Sequence, residues 1–233
     1  PNTLLFRYKS PAASPAYMQT AVHKSFGGIF ELLGYSLDQD SAAPGELLTV
    51  ELFWRAEQPL NGEYRPVIQL VNLPVTEAWG AVEPFFPGGG KTSTTAYPID
   101  RFASEVHSFP IFETAPPYVG RISVQMLDAS TNQPLSLPDG SDRLLLPPLI
   151  RIAGNGEEIP QTLDYRFNDA VQLRCASVTH DDQQFTIDLG WHVLASMAQD
   201  VTLFVHGYDA NGEQIAQNDA APLANAYPSS LWL

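Results

Sequence analysis

The stretch Leu48-Thr-Val-Glu-Leu-Phe-Trp54 decides the fold. Successive side chains of an extended strand point to opposite faces. Leu48, Val50, Leu52 and Trp54 therefore share one side, and Thr49, Glu51 and Arg55 the other. The pattern is that of a half-buried strand, with an inward Trp large enough to anchor a core. It returns downstream as Phe185-Thr-Ile-Asp-Leu-Gly-Trp191 (185 − 48 = 137). There Phe185, Ile187, Leu189 and Trp191 form the inward set, and Thr186, Asp188 and His192 the outward one.

Working outward from this pair, three further blocks recur in the same order. Phe26-Gly-Gly-Ile-Phe-Glu-Leu32 returns as Phe167-Asn-Asp-Ala-Val-Gln-Leu173. Tyr64-Arg-Pro-Val-Ile-Gln-Leu-Val-Asn72 returns as Val201-Thr-Leu-Phe-Val-His-Gly-Tyr-Asp209, and Pro87–Tyr97 as Pro222–Trp232. Offsets that drift by a few residues while order is kept are the mark of a duplication with altered loops. The expected layout is an N-terminal extension over 1–25, a first copy over 26–152, a linker over 153–166 and a second copy over 167–233. Leu233 aligns with Pro98, so the second copy is expected to lack the last strands of the first. Those strands would then come from a continuation of the natural chain or from elsewhere.

Further strands are expected at Ile29–Leu37, Val67–Asn72, Glu105–Phe112, Arg121–Asp128 and Arg143–Ile152. Turn signals separate them: Ala43-Pro-Gly45, Leu60-Asn-Gly62, Pro87-Gly-Gly-Gly90, Pro138-Asp-Gly140 and Asn211-Gly212. Many short strands with 20 Pro and 16 Gly spread along the chain predict an all-β fold. The expected architecture is a tandem of immunoglobulin-like or jelly-roll-like sandwiches, the second incomplete. Pro15–Lys24, with Ala16, Met18, Gln19 and Ala21, is the one stretch expected to tolerate a helical turn.

The formal net charge is −14 with 12 basic residues, so a polyanion such as nucleic acid is excluded as a partner on charge. Cys175 is the single cysteine, which rules out an intrachain disulfide, and its apolar neighbours predict a buried thiol. No apolar run approaches the roughly 20 residues of a membrane helix. Pro1-Asn-Thr-Leu-Leu-Phe-Arg7 lacks the regions of a signal peptide, so any targeting segment is expected outside these residues.

Chemistry-bearing motifs are sparse. Gly88-Gly-Gly-Lys-Thr92 is similar to a phosphate loop, but Phe85 stands where a Gly is required and no strand-to-helix context follows. Asp209-Ala-Asn-Gly-Glu213 has carboxylates around a Gly but not the twelve-residue register of a calcium loop, so a hairpin turn is expected. His206, Asp209, Asn218 and Asp219 lie close enough to form a polar site. The five histidines show no paired metal spacing, and no Gly-x-Ser-x-Gly elbow occurs. No catalytic residues, metal or cofactor are expected. Trp79, Tyr97 and Trp232 fall in loop-like stretches, where rings either stack on sugars or cover the open ends of a sandwich. They are the candidate ligand-binding residues.

Phe26–Tyr35, Ala43–Trp54, Val201–Asp209, Gln217–Leu223 and Tyr227–Trp232 together resemble a β-sandwich module of bacterial cell-envelope proteins. In that family it accompanies mannosyltransferase-like integral membrane glycosyltransferases, sometimes in tandem. The resemblance implies an extracytoplasmic, membrane-tethered accessory domain pair, a spacer or recognition part, with catalysis located elsewhere. Carbohydrate, on account of Trp79, Tyr97 and Trp232, or a cell-surface protein is the expected partner. Leu70-Val-Asn-Leu-Pro-Val75 departs from the Asp-x-x-Gly hairpin of the family. Two alternatives stand beside it: a carbohydrate-binding module of a secreted polysaccharide-active protein, and a structural subunit of a surface assembly completed by a neighbouring chain.

Overall fold

The computed structural model describes residues 17–82, 93–97, 99, 101–153, 161–181, 184–222 and 227–232. The Gly88–Thr92 loop and residues 154–160 of the expected linker lie outside them. The chain divides into two units, Pro1–Ala153 and Gly154–Leu233.

The first unit is an all-β sandwich. Its strands are β1 (Thr20–Phe26), β2 (Phe30–Leu37), β3 (Ser41–Ala42), β4 (Leu47–Ala56), β5 (Tyr64–Asn72), β6 (Ala78–Ala81), β7 (Phe102–Pro110), β8 (Val119–Asp128) and β9 (Leu144–Ile152). One sheet runs β1-β2-β4-β7 and the other β3-β9-β8-β5-β6. The pairings are antiparallel except the short β3–β9 contact. The core forms where alternation places it. Leu48, Val50, Leu52 and Trp54 of β4 are fully buried, and they join one cluster with Ile68, Leu70, Ile122, Val124 and Ile150 of the other sheet.

Two features depart from expectation. The helical turn over Pro15–Lys24 is corrected from Thr20 onward, where the chain is strand β1 paired with β2. Gly27 and Gly28 both have positive φ, at 64° and 67°, in the three-residue turn that links the paired Phe26 and Phe30. That turn folds β1 back onto β2, and pairing in the sheet outweighs a weak helical tendency. The sheet thus begins at Thr20 rather than at Phe26. The second feature is on the outer face of the β1-β2-β4-β7 sheet, where Leu33, Phe53 and Phe102 form a separate buried cluster with Met18 against it. The Tyr17 ring meets Phe53 edge-on at 5.4 Å.

The second unit holds β10 (Tyr165–Phe167), β11 (Val171–His180) and β12 (Phe185–Val193) in one sheet, and the hairpin β13 (Leu203–Tyr208)–β14 (Gln214–Ala220). Its strands begin at Tyr165, inside the segment expected as linker. Local geometry of the first unit recurs here in detail. Asn168 and Asp169 take the positive φ of Gly27 and Gly28. The β2–β4 pairing shifts register just after Leu32↔Trp54, and the β11–β12 pairing just after Leu173↔Trp191. Phe26 meets Trp54 edge-on at 5.4 Å, and Phe167 meets Trp191 edge-on at 5.6 Å. Three separate features at aligned positions, none required by the strand class, support a common origin of the two copies.

Burial does not recur. Phe185 is 57% and Ile187 39% exposed, whereas their counterparts Leu48 and Val50 are fully buried. The inward set expected for the second copy is corrected in this respect. In the first unit β7 pairs with β4 and β8 with β5. Among the described residues neither β12 nor β13 has such a second neighbour. Cys175 is likewise only partly buried.

The β5–β6 turn carries a testable strain. Val75, at φ 57°, occupies the position that Gly212 holds in the β13–β14 turn, at φ 84°. Both turns close with the same hydrogen bond, Val75 N–H to Asn72 O and Gly212 N–H to Asp209 O. A β-branched residue in the left-handed region costs on the order of 1–2 kcal/mol, offset in part by the greater freedom of an unfolded Gly. Val75→Gly is therefore expected to stabilise the first unit by up to about 1 kcal/mol, read as a higher urea midpoint. A lowered midpoint would show that the Val75 side chain contributes more packing than its backbone costs.

Candidate ligand-binding face

The three candidate rings are placed by the local fold, and none presents a face for stacking. Trp79 is 3%, Tyr97 6% and Trp232 5% exposed. Tyr97 closes the 3-10 turn Thr94–Ala96, and Trp232 closes the turn Ser229–Leu231. Each turn is tied down in the same way. The Tyr64 N–H donates to Thr94 Oγ1 at 3.0 Å, and the Val201 N–H donates to Ser229 Oγ at 2.8 Å. Glu63 accepts from the Thr94 N–H at 3.0 Å, and Asp200 from the Ser230 N–H at 2.9 Å. A hydrogen bond from Ser93, outweighing burial, holds the Glu63 carboxyl below its ordinary range, and the Ser230 N–H does the same for Asp200.

The rings at the ends of these turns are then folded inward with their polar atoms paired. Tyr97 Oη donates to Glu105, whose second oxygen lies 3.3 Å from His107 Nε2. Trp232 Nε1 donates to Tyr227 O at 2.8 Å. Trp79 packs beside Tyr118, ring centres 6.2 Å apart. Of the two roles open to Trp79, Tyr97 and Trp232, burial favours covering the unit over stacking, since a ring almost wholly removed from water offers no face to a sugar.

Of the polar group His206, Asp209, Asn218 and Asp219, the structure brings two together and separates the others. Asp209 Oδ1 accepts from the Asn211 and Glu213 N–H groups, each at 2.8 Å, and so is spent on the hairpin turn. The Glu213 N–H leads in holding its carboxyl below the usual range. Asn218 is paired across the ladder with Val205, away from the His206 side. His206 Nε2 and Asp219 Oδ1 are 3.0 Å apart, both about one-third exposed.

That pair lies at the centre of an exposed aromatic row. Phe204, His206 and Tyr208 alternate along β13 on one face, with the His206 ring edge-on to Phe204 at 6.4 Å and to Tyr208 at 6.5 Å. Phe204 is 69% and Tyr208 58% exposed. Across the ladder, Asp219 stands opposite Phe204, Gln217 opposite His206 and Gln214 opposite Tyr208. The duplication shows which face this is. Val201, Leu203, Val205 and Gly207 align with Tyr64, Pro66, Ile68 and Leu70, which are buried on the core side of β5. Phe204, His206 and Tyr208 are therefore on the outward side, where the first copy has Val67, Gln69 and Val71.

No protein-family model matches the chain, and no curated protein matches it. Among the described residues no group of three or more His, Cys, Asp or Glu side chains is gathered as a metal site requires.

Proposed function

We propose that the chain is a non-catalytic recognition part of an extracytoplasmic bacterial cell-envelope protein, acting beside a membrane-borne glycosyltransferase. The observation that carries this reading is the exposed row Phe204–His206–Tyr208 with Asp219 held against it. Large rings at positions where the first copy carries Val67, Gln69 and Val71 support a binding role for this face. The duplicated sandwich and the resemblance of its strand and turn motifs to envelope accessory modules support the compartment. Cosedimentation of the chain with purified bacterial envelope fragments, with no release or transfer of sugar, is the expected result. Turnover of a glycoside by the chain, or no cosedimentation, would overturn the reading.

A second reading is favoured by one observation, the β12 and β13 edges without second neighbours among the described residues. Strands of a neighbouring chain would complete the second unit by edge addition in a surface assembly. Its test is whether amide protection at β12 and β13 rises with chain concentration.

A further inference from the structure

We infer that the outward face of the β13–β14 hairpin binds an uncharged pyranose polymer along the row Phe204, His206 and Tyr208. The inference rests on the recognition reading above and names its site and ligand class.

The fold does not require these rings. Val67, Gln69 and the buried Val71 serve at the aligned positions of the first copy, on a strand that meets its hairpin partner with the same register shift and turn. Phe204 and Tyr208 keep more than half of their surface in water, and their parity is opposite to that of the set aligned with the core side of β5.

The chemistry of the row fits a sugar chain better than an apolar partner. A pyranose ring has an apolar face of C–H bonds and an equator of hydroxyls. Aromatic faces carry partial negative charge, so they attract the C–H face while removing it from water. Phe204 and Tyr208, four residues apart on a strand, are separated by about 13 Å, the reach of a short oligosaccharide. Between and beside them stand groups that both accept and donate. Asp219 accepts, Gln217 and Gln214 do either, and the His206 ring is oriented by its contact with Asp219. A wholly apolar partner would bury a carboxylate, an imidazole and two amides with only one another to bond, leaving part of their capacity unmet at a cost.

Charge selects among glycans. The chain carries a formal net charge of −14, and the row holds a carboxylate with no Lys or Arg among Phe204, His206, Tyr208, Gln214, Gln217 and Asp219. Polyuronates and other anionic polymers are repelled. Uncharged hexopyranose chains are not.

The test is affinity electrophoresis of the whole chain in gels containing mannan, β-glucan, galactan or, as the anionic control, polygalacturonate. Retardation by at least one neutral polymer and none by polygalacturonate is expected. Phe204→Ala and Tyr208→Ala are each expected to weaken that binding about tenfold or more, the loss of one stacking partner. Both positions are exposed, so the variants are expected to keep the circular dichroism of the parent. No retardation in any neutral gel, equal retardation in polygalacturonate, or unchanged retardation of both variants would overturn the inference. Envelope cosedimentation that survives both substitutions would remove the row and leave the recognition reading. No cosedimentation by the unsubstituted chain would remove that reading itself.

Discussion

Trp54→Ala is expected to lower the stability of the first unit by about 3–5 kcal/mol, whereas Trp191→Ala costs the second unit only a small part of that. The two residues occupy the same place in the two copies. Each follows an alternating strand, pairs with a Leu one strand away and meets a Phe edge-on. They differ in what covers them. Trp54 is fully buried, beneath a second sheet that adds Ile68, Leu70, Ile122 and Val124 to its cluster. Removing its ring loses apolar burial and leaves a cavity that a close-packed sandwich refills poorly. Trp191 is only partly buried, so less apolar area returns to water on truncation, and solvent takes the place of a cavity. Thermal unfolding followed by circular dichroism separates the cases. Trp54→Ala should shift the main transition down by on the order of 10 °C, and Trp191→Ala by a few degrees at most. Equal shifts would show that the second copy has a closed core in solution.

How much of this was legible follows from the periods involved. Alternation along Leu48–Trp54 locates the core side of β4, because a period of two maps directly onto one buried face. It says nothing of Phe53, which is buried on the opposite face with Leu33 and Phe102. A strand buried on both sides breaks the assumption that one parity meets water. The β1 strand escaped for another reason. Ala21 and its neighbours have no strong preference, and the pairing that fixes them is set by Gly27–Gly28, outside the stretch.

Context leaves the role of the candidate rings open in the sequence. Trp79, Tyr97 and Trp232 lie in stretches without alternation, which suggested exposed loops. Tyr97 and Trp232 instead end short turns whose backbone N–H groups donate to Glu63 and Asp200, which holds each turn against its own unit. Phe204 and Tyr208 sit within a good strand, where aromatics are ordinarily taken as core. The signal that exposes them was nevertheless present in the sequence. Aligning Val201–Asp209 with Tyr64–Asn72 puts Phe204, His206 and Tyr208 on the parity of Val67, Gln69 and Val71, opposite the core set. The duplication fixes facing more reliably than residue type does, because the register is inherited with the fold while the side chains have diverged.

Amide hydrogen exchange is expected to divide the two copies by about a thousandfold or more in protection. Strand β4 lies between β2 and β7, so its N–H groups bond on both sides and are covered by the opposing sheet. Such amides exchange only when the whole unit opens, at a cost of about 5 kcal/mol or more. Among the described residues strand β13 pairs only with β14, and every residue of β14 is exposed. A two-stranded hairpin in water is marginally stable, so its amides exchange through a local opening of roughly 0–1 kcal/mol. The difference between those opening costs, not any difference in strand geometry, sets the contrast, since the turns and bulges of the two copies are alike. Mass spectrometry of peptides covering Leu47–Ala56 and Leu203–Ala220 reads it directly. Low protection of the hairpin at every chain concentration leaves its outward row available to a glycan. Protection that climbs with concentration would mean that strands from a second copy complete the sheet at the β13 edge, and would move the assembly reading ahead of the recognition one. Equal protection of β4 and β13 at the lowest concentration would refute the open state of the second unit altogether.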